Sequence, residues 1–136
     1  MSESLRPLPQ PTSLTEPYWR AAHEGRLVVQ GCTACGHRQF YPRPFCLHCE
    51  SEDVAWQEVS GNGTLYTFTV NYRAPNAFMK TRLPYVVAMV ELDEGVRMMA
   101  NILGADPADL AIGKRVRVAF EKVTDEITLP QFELVE

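Results

Sequence analysis

The sequence predicts a mainly-β chain in which a short helix and a metal-stapled ribbon precede a small five-stranded antiparallel barrel. Three observations carry that prediction. The only four cysteines among 136 residues stand in two CxxC pairs, Cys32 with Cys35 and Cys46 with Cys49. From residue 64 onward, short stretches alternate apolar and polar side chains at the two-residue period of strands with one buried face. Between those regions, Gly61-Asn62-Gly63 is the strongest break in the chain.

Residues 1–14 carry Pro7, Pro9 and Pro11, which exclude a helix or a central strand and leave an extended arm. A short helix follows, with Thr15 as N-cap, Pro17 in the first turn and Gly25 at the stop. Tyr18, Trp19 and Ala22 give it one apolar side, and a helix so short must lean on a neighbour. Residues 26–30 form a strand leading into the cysteines, and residues 54–59 form the strand that closes the ribbon.

A CxxC turn points two thiolates at one centre, and two such turns complete the four-sulfur tetrahedron of structural zinc. Gly36 suits the tight backbone after the first pair, and Pro42 and Pro44 punctuate the short connection to the second. The expectation is a rubredoxin-like zinc ribbon with Cys32, Cys35, Cys46 and Cys49 as ligands and Zn²⁺ in a structural role. Two disulfides or an iron site are the rival readings, and His37 or His48 could replace a thiolate. Because four cysteines suffice, the two histidines read as surface residues.

In the second region, residues 64–72 place Tyr66, Phe68 and Val70 on one face, opposite Thr67, Thr69 and Asn71. Residues 85–92 are apolar almost throughout, as in a strand covered on both sides. Asp93-Glu94-Gly95 turns the chain, and 96–103 sets Val96, Met98, Ala100 and Ile102 inward. Asp106-Pro107 starts one helical turn, ended by Gly113. Residues 115–122 alternate with Val116, Val118 and Phe120 inward, and a last strand over 129–135 brings in Phe132 and Leu134. Five strands with a helical turn between the third and fourth match the OB-fold barrel. The modules are therefore an arm over 1–14, helix and ribbon over 15–60, and barrel over 61–136.

Bulk properties narrow the function. A formal net charge of −4, made more negative by four thiolates on one divalent ion, does not attract phosphate polymers. Residues 1–10 have no apolar core and do not read as a signal peptide, and the longest apolar run, 85–90, cannot span a bilayer. A cytoplasmic chain with reduced thiols is expected, where metal is favoured over disulfides.

No GxSxG, P-loop or GxGxxG occurs, and metal would occupy every cysteine, so no catalytic residue is assigned. Residues 71–83 (NYRAPNAFMKTRL) hold Arg73, Lys80 and Arg82 without one acid, beside Tyr72 and Phe78. Cations beside aromatic rings on a loop between the first two barrel strands suit a phosphorylated ligand with a flat base. The plainer reading is a solvated loop whose Phe78 and Met79 fold back on the barrel. Ribbons and OB-folds also bind single-stranded nucleic acid. Against that alternative, the outward positions of 96–103 are Arg97, Met99 and Asn101, with no aromatic.

The stretches CTACG, PRPFCLHC, SGNGTLYTFTV and ELDEG, in that order, resemble the acyl-CoA-associated zinc-ribbon OB-fold family over roughly residues 15–135. The resemblance implies an accessory subunit of a thiolase-superfamily partner, which supplies the active-site cysteine and histidines. Such complexes carry out thiolysis, retro-aldol cleavage or acyl transfer on CoA thioesters. The small protein then docks through its N-terminal helix and ribbon and helps line the acyl-CoA channel. Assigning CoA or partner contact to Arg73, Phe78, Lys80 and Arg82 is an inference from this chain's own residues.

Overall fold

The computed structural model describes residues 7–135. Of the arm expected over 1–14, residues 1–6 lie outside the described residues, and 7–12 adopt no regular structure. Helix α1 (Glu16–His23) begins with Pro17 in its first turn, where a missing amide leaves no intrahelical bond unmade. Thr15 holds the N-cap position, but its hydroxyl accepts from the Thr12 amide at 2.9 Å instead of capping the helix. At the other end the Arg26 amide donates to the Ala21 carbonyl and the Gly25 amide to that of Ala22, with Gly25 at φ +80°, a Schellman motif. Tyr18, Ala21 and Ala22 are buried, so the apolar stripe includes an alanine that the sequence pattern did not single out.

The ribbon is a three-stranded antiparallel sheet in the order β2-β1-β3, from β1 (Leu27–Cys32), β2 (Arg38–Gln39) and β3 (Val54–Val59). Every β1 residue is buried. Two buried glutamines hold the connection toward the second cysteine pair. Gln30 Oε1 accepts from the Arg43 amide at 2.8 Å and from Gln39 Nε2 at 2.8 Å, while Gln39 Oε1 accepts from the Leu47 amide at 2.9 Å.

The second sheet has the order β6-β5-β4-β7-β8, from β4 (Asn62–Asn71), β5 (Tyr85–Leu92), β6 (Arg97–Asn101), β7 (Arg115–Lys122) and β8 (Thr128–Leu134). A parallel bridge between Ile102 and Phe132 brings its edges together, so the barrel is nearly closed in the OB arrangement. A 3₁₀ turn, Pro107–Asp109, lies between β6 and β7, and Asp106 Oδ1 accepts from the Ala108 amide at 3.0 Å.

Two strand expectations need correction. The β4–β5 register shifts between Leu65 and Thr67, so a bulge puts Leu65 in the core and turns Tyr66 outward, breaking its alignment with Phe68 and Val70. Strand β5 alternates buried and half-buried residues instead of being covered on both faces, because Val87 and Met89 look onto the outer surface. The loop 71–83 also contains a turn of helix, α2 (Ala77–Lys80), which Asn76 caps by accepting from the Met79 amide at 2.9 Å.

Phe132, Leu65, Val90, Leu92, Met98 and Val116 fill the barrel, and the same apolar cluster continues through Val59, Leu27 and Val29 to Tyr18 and Ala21. Helix, ribbon and barrel thus share one core, which suits modules each too small to bury much surface alone. Among the described residues no helix is long and apolar enough to cross a membrane.

Candidate functional site

The two CxxC segments fold as matching knuckles. The Gly36 amide returns to the Cys32 carbonyl at 2.8 Å, and the Glu50 amide to the Cys46 carbonyl at 2.8 Å. Gly36 has φ +83° and Glu50 φ +67°, so the second knuckle places a glutamate in the left-handed region that glycine occupies in the first. The Cys32 amide donates to the His37 carbonyl and the Cys46 amide to that of Ser51, tying each knuckle to the chain that follows.

All four sulfurs lie within 4.8 Å of one another, with Cys32 and Cys46 buried and Cys35 and Cys49 exposed. The Cys32–Cys49 separation is 3.6 Å and that of Cys35–Cys46 is 3.7 Å. A tetrahedron with metal–sulfur bonds of about 2.3 Å has edges of about 3.8 Å, so this group fits one metal ion. The Cys49 and His48 amides donate to Cys46 Sγ at 3.5 and 3.3 Å. Against opposing burial these amides lower the Cys46 pKa, whereas burial and the neighbouring sulfurs raise those of Cys35 and Cys49, so without a metal one thiolate is favoured among the four. His37 and His48 stack with ring centroids 5.3 Å apart beside the cluster; each follows or lies between the cysteines as an exposed residue.

The basic loop is only partly assembled as the sequence suggested. Arg82 is spent internally: it pairs with Glu121 at 2.5 Å and lies over the Phe78 ring, 5.1 Å from its centroid. Arg73 and Lys80 are exposed, and among the described residues neither pairs with a carboxylate. Glu121, on β7, is the member that sequence reasoning missed. Its place in the alternation marked it as outward, but nothing local showed that the 71–83 loop would fold over it.

A four-cysteine ribbon joined through a common core to an OB-type barrel defines the class as a zinc-ribbon OB-fold protein. Residues 19–55 match the rubredoxin-like zinc ribbon domain of ChsH2, and residues 56–121 match the ChsH2 C-terminal OB-fold domain. A solved chain described as Ltp2-ChsH2(DUF35) aldolase superposes with a TM-score of 0.84 at 36% identity, covering 93% of this chain and 98% of that one. The chain belongs to this DUF35 family.

A probable enoyl-CoA hydratase alpha subunit of Thermomonospora curvata is 37% identical over 96% of this chain, which spans only 40% of that protein. The benzoylsuccinyl-CoA thiolase subunit BbsA of Thauera aromatica is 32% identical over 60% of each chain.

Proposed function

We propose that this chain is a non-catalytic accessory subunit that binds a thiolase-superfamily partner and helps form its acyl-CoA site. The observation that carries the reading is the match, almost end to end in both chains, with the DUF35 chain of an aldolase complex. Kinship with a chain named as a thiolase subunit supports the same partner class. Hydratase chemistry is not assigned, since this chain spans less than half of that relative.

Cys32, Cys35, Cys46 and Cys49 are the proposed ligands of a structural Zn²⁺ in the 15–60 module. Four sulfurs close the coordination shell, so the ion's role is to fix the ribbon, and bond making belongs to the partner. Arg73 and Lys80, the cations left open on the 71–83 loop, are the proposed contacts to CoA phosphates, with Arg82 and Phe78 shaping the loop that presents them. Reduced thiols suit a cytoplasmic setting.

The test is co-expression with a thiolase-superfamily protein encoded beside it. The two are expected to elute together on gel filtration, with thioester turnover requiring both. Complete separation, or turnover of a CoA thioester by this chain alone, overturns the reading.

A further inference from the structure

A groove of about 470 Å³ runs between α1, the ribbon at residues 40–42 and the outer faces of β5, β6 and β8. Its volume lies within the range of small-molecule sites. Trp19, Tyr41, Val87, Met99, Leu129 and Pro130 supply most of its apolar wall, and no acidic, basic or histidine side chain lines it. The phosphates of a nucleotide therefore find no partner there.

The polar side chains at the groove differ in what they have left to offer: the Thr15 hydroxyl is bonded to Thr12, and the Tyr41 hydroxyl, without a hydrogen bond among the described residues, belongs to a side chain 45% exposed to water. Asn101 and Gln131 are largely spent on the barrel: the Asn101 amide donates to Gln131 Oε1 at 2.8 Å, and Asn101 Nδ2 donates to the Val86 carbonyl at 2.8 Å. Tyr18 is the one that is both buried and unspent. It is only 7% exposed, and its ring is fixed by edge contacts with Trp19 and Phe40 at centroid distances of 4.9 and 5.4 Å. Its hydroxyl nevertheless makes no hydrogen bond to any described residue. The hydroxyl oxygen is also not sealed from solvent; among the described side chains only Glu94 Oε1 is both sealed and unpaired. Burial, and after it the neighbouring Tyr41, raises the Tyr18 pKa above its ordinary value, so the hydroxyl stays a neutral donor.

An aromatic wall with one buried, unspent hydroxyl that still meets solvent matches the composition of a ligand site, in which few polar groups orient a mostly apolar molecule. We infer that the groove binds a neutral, mainly hydrocarbon ligand carrying one acceptor oxygen, with that oxygen seated on the Tyr18 hydroxyl. The site belongs to this chain alone. It goes beyond the accessory-subunit reading and stands or falls independently of it, because no partner residue is needed to complete it.

The test uses the full-length, zinc-loaded chain and two probes of one shape, 2-acetylnaphthalene with a carbonyl oxygen and 2-ethylnaphthalene without. Amide shifts in nitrogen–proton spectra should concentrate in α1, residues 40–42, β6 and β8. The ketone should bind roughly 2- to 10-fold more tightly than the hydrocarbon, the worth of one neutral hydrogen bond. Tyr18→Phe keeps the ring and should erase that preference while leaving 2-ethylnaphthalene affinity unchanged. Met99→Trp replaces a side chain that is 56% exposed, so it should fill the groove and weaken both probes at unchanged melting temperature. Equal affinity for the two probes in the unaltered chain, a preference that survives Tyr18→Phe, shifts centred elsewhere, or no binding of either probe overturns the inference.

Discussion

The backbone amide of Asn101 donates to Oε1 of the buried Gln131 at 2.8 Å, and this link helps fasten the seam of the barrel, beside Gln131 Nε2 to Asn101 Oδ1 at 3.3 Å. Strands β6 and β8 meet only at the Ile102–Phe132 bridge, where the Leu103 amide donates to the Phe132 carbonyl at 2.8 Å, so side chains supplement a short strand pairing. Gln131→Leu keeps the bulk but strands the Asn101 amide. The expected loss is about 1–3 kcal/mol, read as a lower urea midpoint at unchanged slope. Gln131→Glu restores an acceptor but sets a second carboxylate beside Glu121, whose Oε1 lies 3.5 Å from Gln131 Nε2. It should therefore rescue more stability at pH 4 than at pH 7. An unchanged midpoint in Gln131→Leu would show that the seam needs no such link.

Metal removal should be felt beyond the ribbon. Because Val59, Leu27 and Tyr18 belong to the same apolar cluster as Leu65 and Phe132, loosening the cysteine knuckles loosens one wall of the barrel core. Metal analysis is expected to find one zinc per chain, lost in Cys46→Ser. Structural zinc sites contribute on the order of 10 kcal/mol in small peptides, so a chelator should lower the melting temperature of barrel and ribbon in one transition. Barrel amides that keep full hydrogen-exchange protection after chelation would contradict that coupling.

Legibility in the sequence followed the range of the interaction. The cysteine pairs were plain because metal ligation needs two thiolates on one short turn, and four barrel strands were plain because burial on one face imposes a two-residue period, while β5 stood out only as an apolar run that hid its alternation. What escaped depended on a partner far along the chain. The bulge that turns out Tyr66 answers the register of β5, and the pairing of Arg82 with Glu121 spans 39 positions. Glu50 escaped for another reason. Its left-handed backbone copies that of Gly36, but a glutamate gives no local sign of the conformation.

The cations of the 71–83 loop should separate by role. Arg82 and Glu121 retain side-chain exposures of 34% and 15%, so their pairing is shielded, and Arg82→Ala should lower the unfolding midpoint by removing it. Arg73→Ala and Lys80→Ala touch no internal partner among the described residues and should leave the midpoint within experimental error. In the complex with a thiolase-type partner, those two changes should weaken CoA binding, more so at low salt. Equal CoA affinity for all three variants and the unaltered complex would remove the loop from the ligand site.

Asp93 and Arg115 give the clearest pH signature. The guanidinium reaches both carboxylate oxygens, at 2.8 and 2.9 Å, and holds the Asp93 carboxyl below its ordinary range. A carboxyl whose folded pKa lies below its unfolded value of about 3.9 adds stability that is fully present above that value. The contribution disappears as pH falls through the lower, folded value. Asp93→Asn should therefore be less stable than the unaltered chain at pH 7, and the two melting curves should converge in acid, below both pKa values. Both side chains are about half exposed, so the gap at neutral pH is small and should narrow further in 1 M salt, where the Debye length is about 3 Å. A gap that stays constant from pH 7 down to pH 2 would mean that the substitution acts through the turn's shape, not through the charge of the pair.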